Sequence, residues 1–213
     1  METLIYFVRH GQSLGNQQRI FLGHTDMDLT ELGYRQAERT AERLADLPIS
    51  AIYSSDLLRA YNTALPHAER RGLTVNTDVR FREFYCGEWE GLSVDQLIEK
   101  YGELYTYSWV REFGIFRMPG GESTPEVAER MYAATLDAAR QNEGKIILCA
   151  SHAAAIRALF ARVLGLAVEK IPDELPYPSN ASYSILKYDG AELSVVSYSN
   201  DDHLAELFTT WKD

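Results

Sequence analysis

Leu4-Ile5-Tyr6-Phe7-Val8-Arg9-His10-Gly11 decides the architecture of this chain. Leu4 to Val8 is a continuous run of aliphatic and aromatic residues, the composition of a strand buried on both faces. The run breaks abruptly into a cation, an imidazole and a flexible residue side by side. Such a strand carries polar, reactive groups at its carboxyl end, the end at which α/β proteins bind ligands. Other segments must then bring complementary groups to the same edge.

Downstream of a polar, irregular segment, Thr30 is a plausible N-cap for a helix over residues 30–46, with Leu32, Ala37, Ala41, Leu44 and Ala45 on one face. Pro48 ends it. Residues 51–54 read as a second strand, Ser54 or Ser55 caps a helix over 56–71, Gly72 stops that helix, and 73–77 read as a third strand. Further on, Ser123 and Glu126 have capping-box spacing for a helix to about Gln141, with Pro125 in its first turn. Residues 145–150 are a continuous apolar strand, followed by Ser151-His152 and a helix that Gly165 ends. A proline-rich loop over 171–178 leads to a hairpin whose turn is Asp189-Gly190. Alternation of strand and helix predicts a three-layer α/β sandwich with a mostly parallel central sheet flanked by helices.

Between residues 80 and 121 the alternation fails. An aromatic-rich insertion at about 85–120, with short helices over 93–101 and 103–112, is expected to pack over the carboxyl edge of the sheet within one domain spanning 1–213. A small core with no functional role is the plainer reading of the same rings.

The formal net charge of -10 argues against nucleic acid or an anionic membrane as the main partner. A local cluster of arginines still permits a small anionic substrate. Cys86 and Cys149 are far apart and lack metal-ligand spacing, which suits a reducing cytoplasm and predicts no disulfide. Met1-Glu2 leads at once into the first strand, with no basic start and no apolar leader core. Residues 153–168 are the most apolar helical stretch, and Arg157 and Arg162 interrupt them, so no membrane span is expected.

Four segments share one design, an apolar strand followed by polar residues. The first delivers Arg9 and His10, the second Arg59, the third Arg82-Glu83, and residues 145–150 deliver Ser151 and His152. Parallel strands would bring all four sets to one crevice. Fixed cations and donors there suit a phosphoryl group, whose charge spreads over three oxygens during transfer. A neutral histidine attacks phosphorus, a second donates to the oxygens, and a carboxylic acid handles the proton of the leaving oxygen. Each residue alone has an ordinary use: a strand-end histidine on the surface, a helix-surface arginine, half of a salt bridge. Metal binding competes for the histidines, but His-x-x-x-His and Glu-x-x-His spacings are absent.

Arg9-His10-Gly11 with Asn16 resembles the signature of the histidine phosphatase superfamily, in its phosphoglycerate-mutase-like branch. The similarity extends through Gly23 to Thr30, Ser54 to Ala60, Arg82-Glu83-Phe84 with Gly87 to Gly91, and Ser151-His152 with Ile156-Arg157. The resemblance implies His10 as nucleophile, Glu83 as proton donor and acceptor, and Arg9, Asn16, Arg59, His152 and the Ala153 N–H as phosphate contacts. It also implies a phosphoglycerate-mutase-like fold and no metal or other cofactor. The chain departs from the family where Ala153-Ala154-Ala155 follows the second histidine in place of glycine, and Gln12 resembles the phosphatase members rather than the mutases. Residues 92–118 are shorter and more aromatic than the mutases' basic insertion, with Lys100, Arg111 and Arg117 as their cations.

The expected activity is therefore hydrolysis of small phosphorylated metabolites through a phosphohistidine. A bisphosphoglycerate-dependent phosphoglycerate mutase and an inactive phosphate-binding module are the alternatives. Gly23, Tyr85, Trp109 and Phe113 are candidates for contacts to the organic part of the substrate. A homodimer through the hairpin or the tail is left open.

Overall fold

The structure, a computed structural model, describes residues 1–209. Residues 210–213, which end the 1–213 span and form part of the tail considered for a dimer, lie outside the described residues. Six strands form one sheet: β1 (Thr3–Arg9), β2 (Ile49–Ser54), β3 (Val75–Thr77), β4 (Ile146–Ser151), β5 (Tyr183–Tyr188) and β6 (Leu193–Asn200), in the order β3-β2-β4-β1-β5-β6. β1 to β4 run parallel, as the alternating pattern predicts. β5 lies antiparallel to β1, and β6 antiparallel to β5, because the Asp189-Gly190 turn joins the last two strands directly. Asp189 Oδ1 closes that turn by accepting from the N–H groups of Ala191 and Glu192.

The helices are α1 (Leu14–Gln17), α2 (Glu31–Arg43), α3 (Leu58–Glu69), α4 (Val94–Tyr101), α5 (Thr124–Gln141), α6 (Ala153–Leu164) and α7 (Ile171–Glu174). Successive side chains of β1 point to opposite faces and so enter two cores. Tyr6 and Val8 join Leu148 and Ile52 beneath Ala64 and Ala68 of α3. Ile5 and Phe7 join Ile147 and Cys149 beneath Met131 of α5 and Leu159 of α6. The result is the expected three-layer sandwich.

Local chemistry sets most boundaries. Thr30 Oγ1 accepts from Gly33 N to start α2, the Ser123–Glu126 capping box starts α5, and Gly165, at φ 62°, closes α6 in the left-handed conformation. α3 begins two residues later than the sequence suggests. Ser55 Oγ reaches only the N–H of Leu57, and Asp56 is held in a two-pronged ion pair with Arg82 at 2.7 and 2.5 Å. The segment expected as a helix over 103–112 contains a wide π-helical stretch, Leu104–Trp109.

The insertion shares its apolar core with the sheet: Phe84, Trp89, Trp109, Phe113 and Phe116 belong to the same buried cluster as Ile5 and Phe7. Trp89 is central to it, with ring centroids of Phe21, Tyr105 and Phe116 at 5.4–5.7 Å. Among the described residues no helix is long and apolar enough to cross a membrane.

Candidate active site

Strand register brings the site together. Arg9 of β1 is level with Ser151 of β4, and Ser54 of β2 with both Ala150 and Thr77. The residues that follow, His10 and His152, therefore emerge side by side, with ring centroids 5.2 Å apart. His10 N donates to Ser151 O at 3.0 Å and extends the ladder by one step. β5 runs the other way, so its beginning reaches the same edge, where Asn180 Nδ2 donates to Asn16 Oδ1 and to the carbonyl of His10.

The His10 ring is 4% exposed, and its Nδ1 lies 2.7 Å from the carbonyl oxygen of Gly11. A carbonyl only accepts, so Nδ1 carries the proton and Nε2 keeps a lone pair. Burial, reinforced by the charges of Arg9 and Arg59, holds the imidazole well below its usual pKa and keeps it neutral. The loop after His10 is fixed from beneath. Gly11 N donates to Thr63 Oγ1, and the first turn of α2 approaches so closely that a Cβ on Gly33 would lie 2.1 Å from Gln12 O.

Both implied arginines are 2% exposed. Arg9 donates to Pro178 O at 2.6 Å, while its Nε has no partner among the described residues. Burial pushes this guanidinium down to about 10, opposed chiefly by the carboxylate of Glu83, so it stays charged at neutral pH. Arg59, in the first turn of α3, is aimed by the carbonyls of Gly23 and Thr25 at 2.8 and 3.0 Å. Gly23 is left-handed at φ 53°, and a Cβ there would meet Glu90 Oε1 at 2.3 Å. Gly23 thus serves the site through backbone shape, and Glu90 braces it by accepting from His24 N.

His152 is the N-cap of α6 and fully buried, and neither ring nitrogen has a partner among the described residues. Burial first, then the charge of Arg59 and the proximity of His10, lower its pKa well below the ordinary value. The α6 N-terminus divides its amides between two tasks. Ala154 N and Ala155 N donate to Glu83 Oε2 and Oε1 at 3.2 and 2.9 Å, and Phe84 N adds a third bond. The amide of Ala153 is left to face the cleft. Replacing glycine with alanines here retains every amide donor. Asn16 Oδ1 accepts from Ser13 and Asn180, which leaves its NH₂ as the group free for a ligand.

Arg9, His10, Asn16, Arg59, Glu83 and Ala153 line an open cleft together with Gly23 and Trp109, with about 670 Å³ of empty space that includes open solvent, whereas His152 is fully buried and is not part of its wall. Tyr85 and Phe113 do not line it. Tyr85 is 44% exposed and packs on His24 outside the cleft, while Phe113 is fully buried behind Trp109. Arg82, read above as a pocket cation, is spent on Asp56.

Three contributors were given no site role from the sequence, although Arg157 lies in the motif quoted after His152. Tyr177 enters the wall from the proline-rich loop. Arg157 holds that loop through the carbonyls of Leu175 and Ile171. Arg130 of α5 donates to the carbonyls of Arg80, Arg82 and Glu83 at 2.7–2.8 Å and fixes the segment that carries Glu83. Its position four residues after Glu126 gives it the look of a helix-surface charge. Among the described residues no group of three or more His, Cys, Asp or Glu side chains is placed to hold a metal ion.

Two histidines, two buried arginines and a glutamate thus gather at the carboxyl ends of strands in a mixed sheet flanked by helices, an arrangement whose charge suits an anionic group. The chain belongs to the histidine phosphatase superfamily (branch 1), whose model matches residues 5–201. It is 31% identical over 204 residues to phosphoserine phosphatase 1 of Hydrogenobacter thermophilus, covering 96% of this chain and 95% of the relative. It is 38% identical over 162 residues to a probable phosphoglycerate mutase of Yersinia pestis, covering 76% and 75%. A mycobacterial glucosyl-3-phosphoglycerate phosphatase solved with VO3 superposes with a TM-score of 0.83 at 31% identity, over 92% of this chain and 98% of that one.

Proposed function

We propose that this protein is a phosphomonoester hydrolase of small phosphorylated metabolites, working without a metal through a phosphohistidine on His10. The observation that carries the reading is the His10 tautomer: a neutral ring with the Nε2 lone pair free, surrounded by buried donors that lack partners.

In the first step Nε2 attacks phosphorus, the bond to the leaving oxygen breaks, and Glu83 passes a proton to that oxygen. In the second, Glu83 takes a proton from water, the water oxygen attacks phosphorus, and the P–N bond returns its electrons to Nε2. Arg9, Arg59, Asn16, His152 and the Ala153 amide hold the equatorial oxygens, and their fixed positions spare reorganisation during transfer. Two guanidiniums occupy the role a divalent cation would otherwise fill.

Similarity to the probable mutase favours a second reading, phosphoglycerate mutase. A mutase must retain a phosphoglycerate in two orientations, which calls for cations beyond the phosphate cradle. Of the three cations in the insertion, Arg117 pairs with Glu126 and Lys100 lies over the Tyr101 ring. Arg111 is exposed, and none of the three lines the cleft.

The test is incubation of chelator-treated protein with an aryl phosphate. Inorganic phosphate and an acid-labile phosphoenzyme are expected, and His10→Ala should remove both. A rate that collapses with chelator, or turnover with no phosphoenzyme, would overturn the mechanism. Phosphoglycerate interconversion that depends on bisphosphoglycerate priming would establish the mutase instead.

A further inference from the structure

We propose that the organic part of the substrate is an uncharged, largely apolar alcohol, aromatic or branched, rather than a carboxylated one. The inference rests on the phosphatase reading and names the substrate class of the same cleft.

The cleft has two unlike ends. The cations in its wall are Arg9 and Arg59, with His10 between them, and all serve the phosphate end. The apolar side chains of the wall include Ile20, Phe21, Leu22, Trp109, Met118 and Tyr177, and Ser13, Glu83 and Cys86 also line it. No lysine, and no arginine beyond those two, is in the wall among the described residues. Arg157, the nearest other buried guanidinium along the Tyr177 side, is enclosed between the Phe113 and Tyr177 rings at 4.4 and 4.3 Å. Its Nε and Nη2 donate to backbone carbonyls, its Nη1 has no partner among the described residues, and it does not line the cleft. The Tyr177 hydroxyl is itself buried, so this residue offers the cleft its ring.

The apolar wall is preformed. Trp109 is wedged among Phe21, Phe84, Phe113 and Phe116 at centroid distances of 5.2–6.0 Å. A carboxylate entering here would lose its hydration and find no opposite charge, whereas an aromatic or branched group would exchange water for ring contacts.

The experiment compares kcat/KM for 2-phenylethyl phosphate, phosphoserine and 3-phosphoglycerate. All three leaving groups are primary alkoxides, so the wall rather than the class of leaving group separates them. The arylalkyl ester should exceed both carboxylated esters by about thirtyfold or more, from burial of one phenyl group. An Ile20→Lys variant, which places a cation on the wall, should narrow that ratio by about tenfold. Equal or higher kcat/KM for phosphoserine or 3-phosphoglycerate overturns this inference while leaving a phosphatase. Absence of phosphate release from all three, with no phosphoenzyme, removes the phosphatase reading and this inference with it.

Discussion

His10 Nδ1 lies 2.7 Å from the carbonyl oxygen of its own neighbour, Gly11. This contact sets which nitrogen keeps a lone pair, and the burial of the ring with Arg9 and Arg59 keeps it neutral. A lowered folded pKa means the neutral form persists at and above the ordinary histidine value of about 6.5. In ¹⁵N-histidine spectra of the free protein, His10 should show a protonated Nδ1 and a bare Nε2 at pH 6.5. A cationic pattern at that pH would contradict the assignment.

Gly33 meets Gln12 O so closely that a side chain there requires the backbone of one loop to move. Gly33→Ala should destabilise the protein by about 1–3 kcal/mol, the range for overpacking a fixed site. Because that loop carries His10, vanadate affinity should fall as well. Thermal unfolding and vanadate titration measure the two effects. Wild-type values in both would mean that the loop is softer than its hydrogen bonds imply.

The sequence exposed the site wherever a strand ended in an abrupt polar break. Arg9-His10, Arg59, Glu83 and Ser151-His152 each follow an apolar run, and parallel register did the rest. The β5–β6 hairpin was legible from the Asp189-Gly190 turn, but the antiparallel placing of β5 beside β1 was not, since it depends on packing far along the chain. Arg82 misled because its partner, Asp56, lies 26 residues away in sequence. Tyr177 and Arg130 carry no local signal, and Arg157, though part of the motif that follows His152, shows nothing of its partners. Each acts through backbone carbonyls or ring contacts that exist only after folding.

Glu83 accepts amides from Phe84, Ala154 and Ala155, a geometry set by backbone. Glu83→Gln keeps the size of the side chain but removes the proton-transfer group and turns an NH₂ toward those donors. Turnover should fall about 10²–10⁴-fold, the usual contribution of a general acid–base. Binding of vanadate should change far less than turnover. Losses of equal size in both would reduce Glu83 to a structural role.

His67 sits fully buried on α3 with neither ring nitrogen bonded among the described residues, and burial, with Arg71 and Arg70 nearby, pushes its pKa down to about 3. Between that value and the unfolded value of 6.5, the unfolded chain takes up a proton that the native state refuses. The contribution to stability is therefore complete above pH 6.5 and declines as pH falls, by up to about 1.4 kcal/mol per unit for one group. His10 and His152, also lowered, act with the same sign. Urea midpoints should drop between pH 7 and pH 5, and His67→Phe should make the slope shallower by about one proton. An unchanged slope would mean His67 titrates normally in the native protein.

Arg157 links the aromatic insertion to the loop that completes the phosphate cradle. It donates to Leu175 O and Ile171 O, and Phe113 and Tyr177 enclose its guanidinium. The same loop presents Pro176 O to the Tyr198 hydroxyl and Pro178 O to Arg9. Arg157→Met should cost about 2–4 kcal/mol, from lost charged hydrogen bonds and ring contacts. A purely structural role would stop there. If the loop instead positions Arg9, vanadate affinity should weaken severalfold at temperatures where the variant is fully folded, and Arg157→Lys should recover only part of it, since an ammonium lacks the planar fork. Full vanadate affinity in a folded Arg157→Met protein would separate the loop from phosphate binding.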